Sequence, residues 1–286
     1  MNFDFNDVQF EYFEDERCEK VATRCLKTIY ITFFVFFVIF IALFCAFQSE
    51  YYFIRITGRS MQPTLNPDIT MQSEAQDYCI VDKDGELDYG DIVIIRSPSD
   101  PDSDQTIIKR VLAFGGDKIS IFKSRGENGE MYYHFARIKS GTNEVEILEE
   151  DYIKMDGDLP AWESLTSYLH NNVIYERNFF RNYFSINGRF YSSSRTSRVT
   201  VDGVGSVLFY QLEEDEIFYM GDNRSNSTDG REYGPVKVSD MVIGKVVKIV
   251  ENGAYSDLFF VRGYYQLKGI LEYFFPKLLD YFAWNG

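Results

Sequence analysis

Residues 106–113 read Thr-Ile-Ile-Lys-Arg-Val-Leu-Ala, an apolar run that is interrupted by two basic residues. Successive side chains of a β-strand point to opposite faces, so Lys109 shares a face with Ile107 and Val111. Removal of a lysine amine from water disfavours its charged form and lowers its pKa, which makes it a candidate general base. The alternative is a structural lysine at a strand edge, whose stem is buried and whose tip reaches water.

Short β-rich runs occur on both sides of this segment and are separated by Gly, Asp and Asn. They are YFIRI at 52–56, YCIV at 78–81, DIVIIR at 91–96, DKISIF at 117–122, SVLFYQL at 206–212, EIFYM at 216–220 and MVIGKVVKIV at 241–250. This pattern predicts a mainly β domain with antiparallel strands. Residues 123–204 are more polar and predict an inserted β-rich subdomain with one candidate helix at 161–172.

The stretch IYITFFVFFVIFIALFCAF at residues 29–47 carries no charge. A helix of this length rises about 28 Å, close to the thickness of a bilayer's hydrocarbon core. The residues that follow it, Gln48-Ser49-Glu50, are a poor match to the small-residue site at which signal peptides are removed. We therefore predict a permanent, single-pass transmembrane anchor; a buried helix of a soluble protein is the alternative.

Basic residues precede this span, namely Lys20, Arg24 and Lys27. The positive-inside rule then predicts that residues 1–28 are a cytoplasmic tail and that residues 48–256 form an extracytoplasmic domain at the cell membrane. Residues 257–286 mix apolar side chains at helical spacing with charges, which predicts an amphipathic helical tail. We expect this tail either to lie on the membrane surface or to pack on the domain.

The overall composition excludes two classes of function. The net charge of −15 argues against a nucleic-acid partner, because phosphate binding needs clustered basic residues. The four cysteines form no C-x-x-C pair and there are only two histidines, so we expect no zinc site. We expect no metal and no cofactor.

Two further segments carry polar residues in suggestive patterns. Residues 58–65 read Gly-Arg-Ser-Met-Gln-Pro-Thr-Leu, a turn in which Ser60 would ordinarily make a local hydrogen bond. Residues 220–231 read Met-Gly-Asp-Asn-Arg-Ser-Asn-Ser-Thr-Asp-Gly-Arg and follow an apolar strand. Their carboxylates and guanidiniums are able to lock a loop through charge-assisted bonds; a solvated turn is the alternative.

The order of these three segments behind an N-terminal anchor resembles the bacterial type I signal peptidases, the leader peptidase family. That family shows S-M-x-P-T-L, then K-R-V in a strand that leads to a Gly-Asp turn, then G-D-N-R-x-N-S-x-D-x-R. Residues 60–65, 109–111 and 221–231 match these motifs, and residues 90–93 resemble a connecting strand. Gly58 stands where some members carry a serine that completes the oxyanion hole, so the second oxyanion donor is left open.

The resemblance implies a signal-peptidase-like catalytic domain with a Ser-Lys dyad. Ser60 would be the acylating nucleophile, Lys109 its general base, and Ser227 a support that hydrogen-bonds and orients the lysine. Met61 and Ile107 would contact the substrate. Four charged residues would brace the loop of residues 221–231, the catalytic loop: Arg110, Asp222, Asp229 and Arg231.

The implied activity is cleavage of secretory preproteins after small residues at A-x-A-like sites, at the lipid bilayer and near the protein-export translocon. Two alternatives belong to other classes. One is a catalytically altered, membrane-tethered binding module of the same fold, which the intact Ser60, Lys109 and Ser227 disfavour. The other is a soluble-repressor-type Ser-Lys autoprotease, which the transmembrane span disfavours.

Overall fold

The chain divides into two compact units, Met1–Glu50 and Tyr51–Gly286. The structure is a computed structural model. It describes residues 16–71, 77–125, 131–153, 193–224, 226–250, 267 and 269–273. The candidate helix at 161–172 lies outside the described residues.

The first unit contains one helix, α1 (Glu16–Glu50), which includes the predicted anchor at 29–47. Between Lys20 and Glu50 its described apolar side chains are exposed, apart from the half-buried Phe47. In the described part of the chain it is the one helix long and apolar enough to cross a membrane. A single N-terminal apolar helix is therefore confirmed. The orientation of this helix stays a prediction.

The second unit is built on a seven-stranded sheet whose described pairings are all antiparallel, with the order β1-β2-β12-β3-β4-β10-β11. Its strands are β1 (Tyr51–Arg55), β2 (Tyr78–Asp82), β3 (Ile92–Arg96), β4 (Thr106–Ala113), β10 (Glu216–Met220), β11 (Val236–Lys237) and β12 (Val242–Val250). Two short helices, α2 (Gly230–Tyr233) and α3 (Val238–Met241), flank β11.

A second, five-stranded antiparallel sheet has the order β7-β6-β5-β9-β8. Its strands are β5 (Lys118–Arg125), β6 (Met131–Ile138), β7 (Glu146–Ile147), β8 (Thr196–Val201) and β9 (Gly205–Gln211). The predicted mainly β, antiparallel architecture is thus confirmed. Residues 123–204 contribute β6, β7 and β8, whereas β5 begins before that range and β9 lies wholly after it. The limits of the inserted subdomain stay a prediction.

One apolar cluster joins the two sheets. It combines side chains of β4 and β10 with those of β5, β6 and β9: Leu112, Ala113, Ile119, Ile121, Phe135, Tyr210, Leu212, Phe218 and Met220. The turn between β4 and β5 passes so close to another loop that a Cβ on Gly115 would lie 1.9 Å from the carbonyl oxygen of Glu214. Only glycine fits there, and the two sheets are held together at that point.

The seven-stranded sheet is covered by apolar side chains on both faces. One face carries a cluster formed by Ile56, Met61, Leu65, Cys79, Val81, Ile92, Ile94 and Ile108. The other face carries a cluster formed by Val93, Ile95, Val111, Ile217, Tyr219, Val236 and Met241. Because β4 lies inside this double layer, a polar side chain on β4 loses most of its water.

A short helical segment at 269–273 belongs to the predicted C-terminal tail. Its Glu272 pairs with Lys248 at 3.0 Å, and the Tyr273 ring lies 6.1 Å from that of Tyr51, edge to face. These described residues therefore contact β12 and β1 of the seven-stranded sheet. The rest of residues 257–286 lies outside the described residues, apart from 267, and the membrane-surface interpretation of the tail stays a prediction.

Candidate active site

Ser60 lies in a turn that follows β1 and that side-chain amides hold rigid. The buried Gln62 donates from Nε2 to the carbonyl oxygens of Asn66 at 2.8 Å and Ile69 at 2.9 Å. Asn66 Nδ2 in turn donates to the carbonyl oxygen of Gly58 at 3.0 Å. Within the described part of the chain the Ser60 N–H donates to no acceptor, so it is available to a substrate oxyanion.

Lys109 projects from the centre of β4 toward this turn. Its side chain is buried, with a relative exposure of 3%. Its Nζ donates to Ser60 Oγ at 3.0 Å and to the carbonyl oxygen of Ile108 at 2.8 Å. The structure therefore brings together the two residues that the sequence analysis paired, although 49 positions separate them.

Burial lowers the pKa of Lys109 from 10.5 to about 8, because the charged amine has lost its hydration. The carboxylate of Asp229 and, more weakly, that of Asp222 oppose this effect, whereas the Arg231 guanidinium reinforces it. A substantial fraction of the amine is therefore neutral near pH 8, and a neutral amine is able to accept a proton from a hydroxyl.

Asp229 is fully buried and is saturated with donors. Its Oδ1 accepts from Arg231 Nε at 2.7 Å, and its Oδ2 accepts from Arg231 Nη2 at 2.8 Å and from Gly221 N at 2.8 Å. Burial on its own would raise the pKa of Asp229, but the Arg231 guanidinium outweighs it and holds the pKa below its ordinary value. Asp229 and Arg231 thus form a closed ion pair beside Lys109.

Asp222 of the catalytic loop forms a second ion pair, with Arg110 of β4. Arg110 Nε donates to Asp222 Oδ1 at 2.8 Å, and Arg110 Nη2 donates to Oδ2 at 2.5 Å. Thr64 Oγ1 also donates to Asp222 Oδ2 at 2.5 Å, which ties the loop to the turn of Ser60. The geometry agrees with the bracing predicted for Arg110, Asp222, Asp229 and Arg231; their role in the reaction stays a prediction.

Ser227 lies next to Asp229 and donates from Oγ to its Oδ2 at 2.9 Å. Among the described residues, the hydrogen bonds of Lys109 Nζ go to Ser60 and Ile108 and none joins Lys109 to Ser227. The support that Ser227 was predicted to give Lys109 stays a prediction. The geometry offers a route for it through Asp229.

A groove of about 150 Å³ opens beside the serine and the lysine. Its walls are residues 54–57, at the end of β1, and residues 106–109 of β4, together with Ser60 and Ile94. Ile107 therefore lines the groove, and its predicted contact with the substrate stays a prediction. Met61 does not line it; its side chain is 1% exposed and packs in the core. The structure gives no support to the predicted substrate contact of Met61.

Sequence reasoning missed two residues that hold the catalytic loop. Arg224 Nε donates to the carbonyl oxygen of Gly221 at 2.9 Å, and its two terminal nitrogens bind the carboxylate of Glu150. Arg224 lies within the third motif, but Glu150 lies in no recognised pattern. In the described part of the chain no group of three His, Cys, Asp or Glu residues has the arrangement of a metal site.

Comparison with known families agrees with this geometry. The family profile described as "Signal peptidase, peptidase S26" matches residues 25–250, which include most of α1 and all described strands. The chain belongs to the signal peptidase family. It is therefore a hydrolase of the kind that cleaves signal peptides, and its substrates carry signal peptides.

The individual relatives either have low sequence identity to this chain or match only part of it. The signal peptidase I of Aquifex aeolicus is 27% identical over 214 residues, which cover 71% of this chain and 77% of that protein. Mitochondrial inner membrane protease subunit 1 of Mus musculus is 39% identical over 88 residues, which cover 28% of this chain and 49% of that protein. A solved signal peptidase I from Enterococcus faecalis is 20% identical and covers 57% of this chain and 98% of that one, with a TM-score of 0.27, too low to support any argument.

Replacement of Lys109 by Met tests the burial of the amine. In the folded protein the amine binds fewer protons than in the unfolded chain between about pH 8 and 10.5, so the native protein gains stability as the pH rises through this window. Below about pH 8, the lowered pKa of Lys109 reduces the free energy of unfolding by about 3 kcal/mol. We expect Lys109→Met to raise the free energy of unfolding at pH 7 by up to that amount, less the lost bond to Ile108, and the gain to vanish above pH 10.5.

The measurement is denaturant unfolding of the detergent-solubilised protein and of the variant at pH 7 and at pH 10.5 and above. Ser60→Ala is the matched control, because it removes the other partner of the same hydrogen bond and leaves the amine in place. A gain in stability that does not depend on pH would show that Lys109 titrates normally.

Proposed function

We propose that this signal peptidase cleaves N-terminal signal peptides from exported preproteins after small residues at A-x-A-like sites, by a Ser60-Lys109 dyad and an acyl-enzyme. The observation that carries the mechanism is the 3.0 Å contact between Lys109 Nζ and Ser60 Oγ in a site where burial lowers the pKa of the lysine to about 8. A serine hydroxyl becomes an effective nucleophile when a neighbouring base removes its proton.

In the first step, the neutral Lys109 amine takes the proton of Ser60, and Oγ attacks the scissile carbonyl carbon. The Ser60 N–H donates to the oxygen on which negative charge develops. Collapse of this intermediate breaks the peptide bond, and the Lys109 ammonium returns its proton to the leaving amine. The signal peptide then remains attached to Ser60 as an ester.

In the second step, the again neutral Lys109 removes a proton from a water molecule, which attacks the ester carbonyl. The ester bond breaks, Ser60 Oγ regains a proton from Lys109, and the signal peptide leaves as a carboxylic acid. Since one base serves both steps, its amine must stay close to Ser60 Oγ throughout. The bond from Lys109 Nζ to the carbonyl of Ile108 at 2.8 Å restrains it there.

The groove favours a substrate in extended conformation. On the β10 side, the described pairing of β4 begins only at Arg110, so residues 106–109 have no described strand neighbour there. A peptide between residues 54–57 and residues 106–109 would therefore add main-chain hydrogen bonds to the β4 wall. The small volume and the isoleucines in the walls favour small side chains near the cut.

In this proposal the reaction takes place at the surface of the membrane. The proposed arrangement has residues 1–28 in the cytoplasm, α1 across the cell membrane and the peptidase domain outside, where precursors leave the export translocon. Support comes from the basic residues Lys20, Arg24 and Lys27 before the apolar span. Sharing a bilayer with its substrate raises the effective concentration of each for the other.

Removal of either member of the dyad should abolish cleavage. We expect Ser60→Ala and Lys109→Ala each to lower kcat for a model secretory precursor by several orders of magnitude. We expect the double variant to be little worse, because the two residues act as a unit. Lys109→Arg should not restore activity, since a guanidinium stays protonated. Cleavage is followed with purified protein in detergent, and the product's N-terminus is sequenced; near-normal turnover by Lys109→Ala would refute the dyad.

The rate of cleavage should follow the fraction of Lys109 that is deprotonated. Because the neutral amine is the active form, kcat/KM should rise with pH, with a midpoint at about 8, and should be lost toward acid. The check is a pH–rate profile on a short peptide substrate that carries no ionisable side chain. A profile that is flat from about pH 5 to 9 would contradict a desolvated lysine base.

A further inference from the structure

Arg224 lies at the centre of the catalytic loop and is completely buried. Its guanidinium makes a bidentate pair with Glu150, with distances of 2.7 Å to Oε2 and 2.6 Å to Oε1. The side chains of Arg224 and Glu150 are 0% and 5% exposed, respectively. A pair of this geometry, shielded from water, is among the strongest polar contacts available to a protein.

Glu150 comes from a part of the chain that carries none of the three motifs. It lies in residues 148–153, a strap that follows β7 and leaves the five-stranded sheet. Leu148 and Ile153 anchor the strap in the apolar cluster between the sheets, and Leu148 N donates to the carbonyl oxygen of Phe135 at 2.9 Å. The strap is therefore fixed at both ends, and Glu150 lies between these anchors.

A second residue of the strap supports the first. Tyr152 OH donates to Glu150 Oε1 at 2.7 Å, which orients the carboxylate. The ring of Tyr152 lies 4.1 Å beneath the guanidinium of Arg110, the partner of Asp222. The strap thus contacts both arginines that hold the beginning of the catalytic loop.

The contact with Arg224 reaches the nucleophile through Gly221. Arg224 Nε donates to the Gly221 carbonyl at 2.9 Å. A Cβ on Gly221 would lie 2.5 Å from the Ser60 carbonyl oxygen and 2.2 Å from Ser227 Oγ, so the loop packs directly on the turn of the nucleophile. Asn223 N also donates to the Ser60 carbonyl oxygen at 3.0 Å. A displacement of Gly221 therefore moves Ser60 relative to Lys109.

We propose that Glu150 is a positioning residue of the peptidase, acting through Arg224 on the Gly221 backbone that seats Ser60 against Lys109. This inference rests on the proposed dyad mechanism. It assigns the strap a role in turnover, beyond joining the two sheets. A purely structural ion pair would change the fraction of folded protein but would leave kcat per folded molecule unchanged.

The test compares kcat and KM of the full-length protein in detergent with those of Glu150→Gln, on one precursor. Glutamine keeps the size of the side chain but removes the negative charge that pairs with Arg224. We expect kcat per folded molecule to fall by about tenfold to a hundredfold, as a small misplacement of the reacting atoms does, with KM nearly unchanged. Wild-type kcat in Glu150→Gln would overturn the proposal.

Arg224→Lys is the second variant, because it retains a positive charge for Glu150 and so protects folding. A lysine is unable to bind the Gly221 carbonyl and both oxygens of Glu150 in this planar arrangement. We expect a loss of kcat in the same range, and wild-type kcat here would equally overturn the proposal. If Glu150→Gln does not fold, Arg224→Lys decides the question.

Glu146→Gln is the matched control. Glu146 lies on β7, four positions before Glu150, and its ion-pair partners are Arg137 at 2.8 Å and Lys139 at 3.3 Å, outside the catalytic loop. It should keep wild-type kcat; an equal loss in both glutamine variants would overturn the proposal in favour of general destabilisation. The proposed function is judged separately, by whether the wild-type protein cleaves the precursor and Ser60→Ala does not.

Discussion

An amine that is held out of water against a serine hydroxyl is the arrangement on which the rest of the site depends. Lys109 is buried because β4 lies in the middle of a sheet that is covered on both faces, and this burial is the main cause of its lowered pKa. Unpaired carboxylates nearby would stabilise the charged amine and cancel the effect. The structure instead pairs each carboxylate of the loop with an arginine: Asp229 with Arg231, and Asp222 with Arg110.

Much of this arrangement could be predicted from local patterns. The alternation of β4 places Lys109 among apolar side chains, and the ordered motifs around Ser60 and at 221–231 identify its partners. Eight of the twelve described strands, β1 to β5, β9, β10 and β12, could also be predicted, because each lies in a short apolar run bounded by turn residues. Met61 is a different case, and its predicted substrate contact stays a prediction. Its place in a motif says nothing about which way its side chain turns, and it packs in the core.

The contact between Glu150 and Arg224 could not be predicted, because 74 positions separate the two residues and neither the spacing nor the composition near Glu150 is unusual. It depends on how the second sheet packs on the first, through the cluster around Leu112 and Phe135. The hydrogen bond from Ser227 to Asp229 is similar: the motif brings the residues together, but the partner of the hydroxyl is decided by the loop's conformation. Long-range packing thus determines which polar groups meet around a dyad that the sequence already reveals.

The central claim, that burial lowers the pKa of Lys109 to about 8, can be measured without any substrate. Selective ¹³C labelling of lysine Cε gives a set of resonances, and the one that disappears in Lys109→Met belongs to Lys109. Its chemical shift is followed against pH in the folded, full-length protein. The account predicts a titration midpoint at about 8. A midpoint near the ordinary lysine value of 10.5 would show that Lys109 is protonated when the enzyme works, and the proposed base would then have to be abandoned.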